Sequence, residues 1–130
     1  MVGNEETSIQ VYTDGSKQKQ GVGSVAVIFK GREMIAKLQF KLDNRCSNNH
    51  AEQLAILKAL EKLEVLNRQS INPLSTIIFT DSRICLNSLQ NYNNHGFFVE
   101  ENRKKVASLK RSGWQIMFSW VKGHIGVHGN

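Results

Sequence analysis

Three carboxylates stand where they could meet and bind a cation. Asp14 and Asp81 each follow a threonine at the end of a strand-like run, and Glu52 lies in the first turn of a long helical pattern. If the two strands are neighbours, their carboxyl ends and the helix N-terminus converge at one sheet edge, where open α/β sheets commonly place sites. Such carboxylates repel each other unless cations lie between them, and their oxygens favour hard cations such as Mg²⁺ or Mn²⁺. The pattern predicts an acidic metal site.

Each of these acids also has a purely structural interpretation. Asp14 would be an ordinary turn residue. Glu52 would complete a capping box with Asn49 as the N-cap, a position that also suits the helix dipole. Asp81 would cap the short helix that follows it. Each interpretation is favoured when its residue is taken singly, whereas the shared placement of the three favours the metal site.

The first elements that must position the acids are three antiparallel strands. The first is predicted over Ile9–Thr13 and stops at Asp14, because "DGS" is a turn signal. The next two are predicted over Val22–Lys30 and Glu33–Leu42, joined by a two-residue connection that fits a hairpin.

The second half of the chain alternates helices and strands. Leucines spaced by three and four predict a helix of about five turns after Ser47. Then come an apolar strand over Ser75–Asp81, a short helix, a basic helix closed by Gly113, and a last strand over Trp114–Val121. The order βββαβααβ predicts an α/β domain in which helices cover a mixed sheet.

Length and composition bound the kind of protein. A chain of 130 residues suits a single domain with one core. Its two cysteines, Cys46 and Cys85, lack the spacing of a zinc site and the density of a disulfide scaffold, so we expect ordinary thiols in a reducing compartment. No apolar run is long enough to span a bilayer, and the first residues lack the apolar core of a signal peptide. We therefore expect a soluble intracellular protein, in cytoplasm or nucleus, with no membrane partner.

The charge distribution favours a polyanionic partner. Seventeen Lys and Arg against eleven Asp and Glu give a formal net charge of +6. When the three candidate acids are set aside, the sequence has seventeen Lys and Arg against eight other Asp and Glu, a difference of nine. An acidic metal pocket in a basic surface suits phosphodiester chemistry.

Four sequence blocks carry a resemblance to a known family. In order and spacing, "YTDGS", "SNNHAEQLAILKAL", "IIFTDS" and "WVKGHIGVHGN" resemble the ribonuclease H family from about Ile9 to Asn130. They look most like the ribonuclease H domains of non-LTR retrotransposon polyproteins. The resemblance implies a single domain over residues 1–130, with 1–8 a flexible tail. It also implies a five-stranded mixed sheet with helices on both faces.

The resemblance also implies a chemistry. Asp14, Glu52 and Asp81 match the family's first three catalytic carboxylates and would hold two Mg²⁺ ions about 4 Å apart, for which Mn²⁺ could substitute. One ion would activate a water and the other would stabilise the leaving 3′ oxygen, so that the RNA strand of an RNA/DNA hybrid is hydrolysed. His124 matches a mobile loop histidine that assists product departure or proton transfer, whereas without the resemblance a solvated loop residue is favoured. A zinc pair of His124 with His128 is not expected, because the glycines around them argue against a helix.

Four further residues match positions that contact the hybrid. Asn48 and Asn49 correspond to residues that reach the minor groove, where 2′-hydroxyls are displayed. Gly15 and Ser16 lie where the backbone contacts an RNA strand. Asn49 would then serve both as cap and as reader.

The chain departs from the family pattern in two places. It has no room for the basic helix and loop that some relatives insert before the last strand, and Lys104 and Lys105, with Lys110 and Arg111, would partly replace them by touching phosphates. The alternative is that these cations form the solvated face of a helix. In the family, a fourth carboxylate at the start of a final helix follows the "GHxGxxGN" segment, and this chain stops at Asn130. We therefore expect the final helix to be absent and the activity of this chain to be reduced.

Two functions remain open on these residues. The first is a ribonuclease H enzyme, fused to or working with a reverse transcriptase. The second is a hybrid-binding or interaction module that has kept the fold without turnover. The intact carboxylate cluster favours the enzyme, and the ending favours low activity.

Overall fold

The computed structural model describes residues 8–19, 21–68 and 74–122, which form five strands and three helices. The elements are β1 Ser8–Gln18, β2 Gly21–Lys30, β3 Glu33–Leu42, α1 Asn48–Arg68, β4 Ser75–Thr80, α2 Arg83–Gln90, α3 Phe97–Arg111 and β5 Gln115–Trp120. This order confirms the predicted βββαβααβ arrangement. None of the helices in these ranges is long and apolar enough to cross a membrane.

The strands form one mixed sheet in the order β3-β2-β1-β4-β5. β2 is antiparallel to both β1 and β3, whereas β4 runs parallel to β1 and β5 parallel to β4. The predicted adjacency of the first and fourth strands is confirmed, with Tyr12 paired with Phe79. Asp14 and Asp81 each lie two residues beyond that pair, so the two "TD" steps end at the same level of the sheet.

β1 does not stop at Asp14, and the turn interpretation of that residue is wrong. The strand continues to Gln18, with Asp14 paired with Val25 and Gly15 with Ser24. Pairing with β2 continues along this whole length, and this outweighs the local turn preference of "DGS". The change of direction comes later, before Gly21, whose φ of +145° suits glycine.

The core lies between one face of the sheet and the helices. It is built from buried side chains of all three helices and of the sheet, among them Ile9, Val11, Ala26, Ile28, Ile56, Leu60, Leu63, Ile78, Cys85 and Leu109. The alternation of strands sends every second side chain to this face. Helices on both faces were implied by the resemblance; the helices of the described ranges all contribute to the core on this one face.

The opposite face of the sheet carries an aromatic cluster. Tyr12 stacks on Phe79 with ring centroids 5.0 Å apart and meets the edge of Phe29 at 5.8 Å. Met34 and Met117 are 51% and 62% exposed on the same face. No helix from residues 8–19, 21–68 or 74–122 covers these side chains.

The start of α1 differs from the predicted capping box. The N-cap position is Ser47, whose Oγ accepts a hydrogen bond from the backbone N–H of His50 at 3.1 Å. In return, the backbone N–H of Ser47 donates to Nδ1 of His50 at 3.4 Å. Because the helix begins at Asn48 rather than after Asn49, the capping partner is His50 and not Glu52.

The cap of α2 also differs from the structural interpretation in which Asp81 would cap this helix. Ser82 is the N-cap, and its side chain accepts from the backbone N–H of Cys85 at 3.1 Å. The side chain of Asp81 is therefore not used as the cap of this helix. Neither Glu52 nor Asp81 is needed to begin a helix, so both side chains are available to a site.

Candidate metal centre and nucleic-acid interface

The structure brings the three predicted carboxylates together. One oxygen from each of Asp14, Glu52 and Asp81 lies within 4.8 Å of the others. Asp14 and Glu52 are 7% and 5% exposed, and Asp81 is half-buried. The cluster sits beside α1, at the level where β1 and β4 carry their "TD" steps.

Gly15 allows the helix to approach the strand closely enough for this geometry. A Cβ atom on Gly15 would lie 2.6 Å from the backbone nitrogen of Glu52 and 2.8 Å from Ala51, nearer than real Cβ atoms come. Its backbone N–H donates to Oε1 of Glu52 at 2.9 Å. Glycine at this position therefore lets α1 rest directly on β1 and orients the Glu52 carboxylate.

Two hydroxyl groups strengthen the same contact between helix and sheet. Ser24 Oγ donates to the backbone carbonyl of Ala51 at 2.6 Å in a buried hydrogen bond. Thr80 Oγ1 lies 3.5 Å from Oε2 of Glu52, and it also accepts from the backbone N–H of Ser82 at 3.1 Å. The first turns of α1 are thus fixed to β2 and β4 as well as to β1.

The electrostatics of the cluster favour a bound cation. Burial raises the pKa of Glu52 to about 8; the Gly15 N–H opposes this rise, and the charges of Asp81 and Asp14 add to it. Three clustered carboxylates offer only oxygen ligands, which hard divalent cations prefer. A cation among them would relieve the repulsion between the acids and favour the ionised form of Glu52 against the effect of burial, so these residues fit such an ion.

An open cavity of about 670 Å³ extends from the acids toward the surface. Its lining combines the cluster with polar and cationic side chains: Gly15, Asn48, Asn49, Glu52, Asp81, Ser82, Arg83, Ile84, Trp120 and Lys122. The two asparagines predicted to read the hybrid therefore lie beside the acids.

A second cavity, of about 570 Å³, adjoins Asp14 on the side of β3. Ser16 contributes to it, together with Gln39 and the cations Lys37 and Lys41. The carboxylate cluster thus lies between two cavities, and basic side chains line each of them.

Lys104 and Lys105 line neither cavity. Lys104 pairs with Glu101 at 3.2 Å within α3, and Lys105 pairs with Glu64 of α1 at 2.8 Å. The hydrogen bond to Glu64 raises the pKa of Lys105. Their contact with phosphates stays a prediction.

The histidines take different places. His50 serves in the cap of α1, and His95 lies exposed with Nδ1 3.8 Å from Glu100. His124 and His128, and with them the loop and zinc interpretations, lie outside the described residues. Cys46 and Cys85 are both free thiols, as predicted.

Two cationic residues and one aromatic residue of the first cavity are among those not identified as site residues from the sequence. Trp120 donates from Nε1 to the backbone carbonyl of Asp81 at 3.1 Å, and the guanidinium carbon of Arg83 lies 3.9 Å from the centroid of its ring. Lys122 lies two residues further along. Their only sequence signals are that Arg83 follows "TDS" and that Trp120 lies near the end of the last predicted strand.

A mixed sheet of this order, with acids at the level where β1 and β4 meet, defines an α/β protein with a candidate metal site. The RNase H family model matches residues 6–130, and the chain belongs to this family. Family membership makes the chain a hydrolase of the ribonuclease H class.

Similar proteins agree with this assignment. A protein named Ribonuclease H from Ruthia magnifica subsp. Calyptogena magnifica is 29% identical over 137 residues, which cover 94% of this chain and 87% of that protein. A protein of the same name from Pseudomonas entomophila (strain L48) is 28% identical, with 95% and 86% covered. The crystal structure of LC11-RNase H1 in complex with an RNA/DNA hybrid has a TM-score of 0.68 at 21% identity, covering 88% of this chain and 85% of that one. At this identity the structural match supports the fold.

Proposed function

We propose that this chain hydrolyses the RNA strand of RNA/DNA hybrids with divalent cations held by Asp14, Glu52 and Asp81. The observation that carries the proposal is the convergence of their oxygens within 4.8 Å at the sheet edge of a basic chain. The family assignment supports it, as does the hybrid complex of the structurally similar LC11-RNase H1.

The three acids would hold two Mg²⁺ ions, with Mn²⁺ as a substitute. When bound, such ions activate a water for in-line attack on a phosphate and stabilise the leaving 3′ oxygen. Glu52 must give up its proton for this, because its pKa near 8 describes the protein without a cation. Burial of Asp14 and Glu52 limits the access of bulk water to the acids.

Residues on the cavity wall would orient the RNA strand. Asn48 and Asn49 start α1 beside the acids, and their amides suit the 2′-hydroxyl, which both donates and accepts hydrogen bonds. The N–H of Gly15 already donates to Glu52, so Ser16 is the better placed donor on β1. His124 would assist proton transfer or product departure, as the resemblance implies.

The test is magnesium-dependent cleavage of labelled RNA in a hybrid. Asp14→Asn and Asp81→Asn should each reduce cleavage to background, because the amide loses the charge that binds the cation while keeping the shape of the side chain. Asp43→Asn is the matched control, since Asp43 is exposed and pairs with Arg45 away from the cluster. Duplex DNA should not be cleaved.

The same experiment separates the enzyme from a binding module. If the full natural chain cleaves no hybrid in Mg²⁺ or Mn²⁺, the enzymatic proposal is wrong. Binding is then measured in Ca²⁺: a preference for RNA/DNA over duplex DNA at moderate salt would identify a hybrid-binding module.

We also propose that this domain works with a reverse transcriptase in a retroelement. The support is the likeness of the block from Asn48 to Glu61 to retroelement domains; the curated relatives bear on the family alone. A reverse transcriptase encoded in the same reading frame would bear this out, and a stand-alone reading frame would contradict it.

A further inference from the structure

We propose that Arg83, held flat on the indole of Trp120, contacts a backbone phosphate of the bound nucleic acid next to the carboxylates. This inference rests on the proposed function, because it takes the RNA/DNA hybrid as the ligand. It assigns a phosphate-binding role to a side chain of α2 and a positioning role to the last residue of β5.

Trp120 is fixed at the edge of the carboxylate cluster. Its Nε1–H donates to the backbone carbonyl of Asp81 at 3.1 Å, and the next residue, Val121, donates its backbone N–H to Thr80 at 2.9 Å. The indole is 37% exposed, so one part of it holds the segment that carries Asp81 while another part faces outward. It is therefore an ordered platform beside the site.

Arg83 lies on this platform. It is the first residue of α2, directly after the cap Ser82, and its guanidinium carbon is 3.9 Å from the centroid of the Trp120 ring. Such a contact is electrostatically favourable and restricts the rotation of a long side chain. It leaves the edge of the guanidinium, which carries the N–H donors, directed away from the ring.

The surroundings of Arg83 point to an anionic ligand from outside the described residues. Arg83 lines the same cavity as Glu52 and Asp81, yet within the described ranges it has no ion pair at 4.0 Å or less. Arg103 is a useful contrast, since its guanidinium donates to the backbone carbonyls of Leu89 and Asn94, among others. Arg103 is committed to the fold, whereas Arg83 keeps its donors for a partner.

A phosphodiester is the ligand that fits these donors. A stacked guanidinium offers two parallel N–H groups to two phosphate oxygens, a geometry that lysine cannot provide. The acids are next to Arg83, so a phosphate chain that approaches cations at the cluster passes within reach of it. Lys122, on the same wall, adds to the positive potential along this path.

The experiment measures binding of a fluorescent RNA/DNA hybrid in Ca²⁺ at several salt concentrations. Arg83→Ala should weaken binding about tenfold, as expected for one charge-assisted contact. It should also reduce the slope of log K against log salt by about 0.9, the value for one phosphate contact. Arg83→Lys should keep most of the slope and lose part of the affinity.

The matched control is Arg32→Ala. Arg32 is an exposed arginine in the turn between β2 and β3. Lys30, two residues before it, pairs with Ile9, which lies toward the opposite end of β1 from Asp14. The Arg32→Ala substitution removes the same charge. It should leave both the affinity for the hybrid and the slope of log K against log salt unchanged. Equal behaviour of the Arg83→Ala and Arg32→Ala proteins would overturn the inference.

Trp120 is tested through its coupling to Arg83. Trp120→Leu should weaken binding in the protein with Arg83 and have little further effect in the Arg83→Ala protein, because the platform acts through the guanidinium. Trp120→Phe, which keeps an aromatic surface, should restore most of the affinity. A purely structural role would instead lower the melting temperature of Arg83→Ala and leave hybrid binding intact, and that result would refute the proposal.

Failure here is distinguishable from failure of the proposed function. If the wild-type chain neither binds nor cleaves hybrids, both proposals fall. If the wild type binds and Arg83→Ala binds equally well with the same salt slope, only the role of Arg83 falls.

Discussion

Glu52 is buried among charged and polar groups of the cluster. It is 5% exposed, accepts a hydrogen bond from Gly15, and lies beside two other carboxylates. Burial comes first among the causes that raise its pKa to about 8. Glu52 therefore links the protonation of the protein to the binding of a cation.

We predict that the metal-free protein loses stability as the pH rises. A carboxyl group whose pKa is raised by folding, here from 4.5 to about 8, binds more protons in the folded than in the unfolded state between these values. Its contribution to the free energy of unfolding is fully present below pH 4.5 and is lost as the pH rises through about 8. Urea denaturation across this window measures the slope.

Glu52→Gln provides the control for this dependence. The amide does not titrate, so the decline assigned to Glu52 should disappear, whereas Glu33→Gln, at an exposed position in β3, should keep it. Parallel pH profiles for wild type and Glu52→Gln would contradict the assignment.

At the scale of single residues, the sequence predicted the acids but not the groups that hold them. Asp14, Glu52 and Asp81 stand out because acids at strand and helix ends are few and their spacing is informative. Arg83 and Trp120 carry no such signal, because their contact joins residues 37 positions apart, from α2 and β5. Such contacts depend on the three-dimensional arrangement of the strands.

At the scale of elements, the contact between β1 and α1 determines the geometry of the site. Gly15 sets the distance, and the buried hydrogen bond from Ser24 to Ala51 holds it. The contact is backbone against backbone, so a flexible side chain cannot move aside to accommodate an added atom. A small change on the strand must therefore move the helix.

Gly15→Ala should reduce both stability and metal binding. The added Cβ would lie 2.6 Å from the Glu52 nitrogen, so α1 must shift and carry the Glu52 carboxylate with it. Overpacking of this kind costs about 1–3 kcal/mol in the free energy of unfolding. Chemical denaturation measures the first effect and calorimetric titration with Mg²⁺ the second.

Gly23→Ala is the matched control for this substitution. A Cβ on Gly23 would lie 3.5 Å from the carbonyl oxygen of Phe40, an ordinary contact. If Gly15→Ala were as stable as Gly23→Ala and bound Mg²⁺ like the wild type, the close approach would not limit the site.

The order of the elements was predictable, and so were the bounds of β3, but the end of β1 and the start of α1 were not. Periodicity of two and of about 3.6 residues separates strands from helices, and this predicted βββαβααβ. "DGS" misled at the end of β1 because pairing with β2 outweighs a local turn preference. The cap of α1 was misplaced because histidine is an unusual partner for serine in a capping box.

At the scale of the whole molecule, a concentrated acidic cluster lies in a chain of net charge +6. The three acids come from β1, from α1 and from the residue that follows β4, so their mutual repulsion acts on contacts between separate elements of the fold. A divalent cation that binds only the folded state should therefore stabilise the entire domain.

Addition of Mg²⁺ should raise the melting temperature at pH 8. A free Mg²⁺ concentration of about 100 times the dissociation constant should add roughly 2.7 kcal/mol to the free energy of unfolding. Scanning calorimetry with and without the ion measures the shift, and chelation should reverse it. The double variant Asp14→Asn/Asp81→Asn keeps one acid of the cluster, so Mg²⁺ should change its melting temperature little. A rise as large as that of the wild type would show that the cation binds elsewhere.

The cap formed by Ser47 and His50 has a consequence for how this protein can change over time. Because that pair caps the helix, replacing Glu52 removes an acid from the site without removing the N-cap of the helix. Since Glu52 ionises at a cost in the absence of a cation, its replacement should leave the apo domain at least as stable. Turnover can thus be lost while folding is kept. A single substitution at Glu52 could therefore convert a nuclease into a domain that still folds and binds nucleic acid.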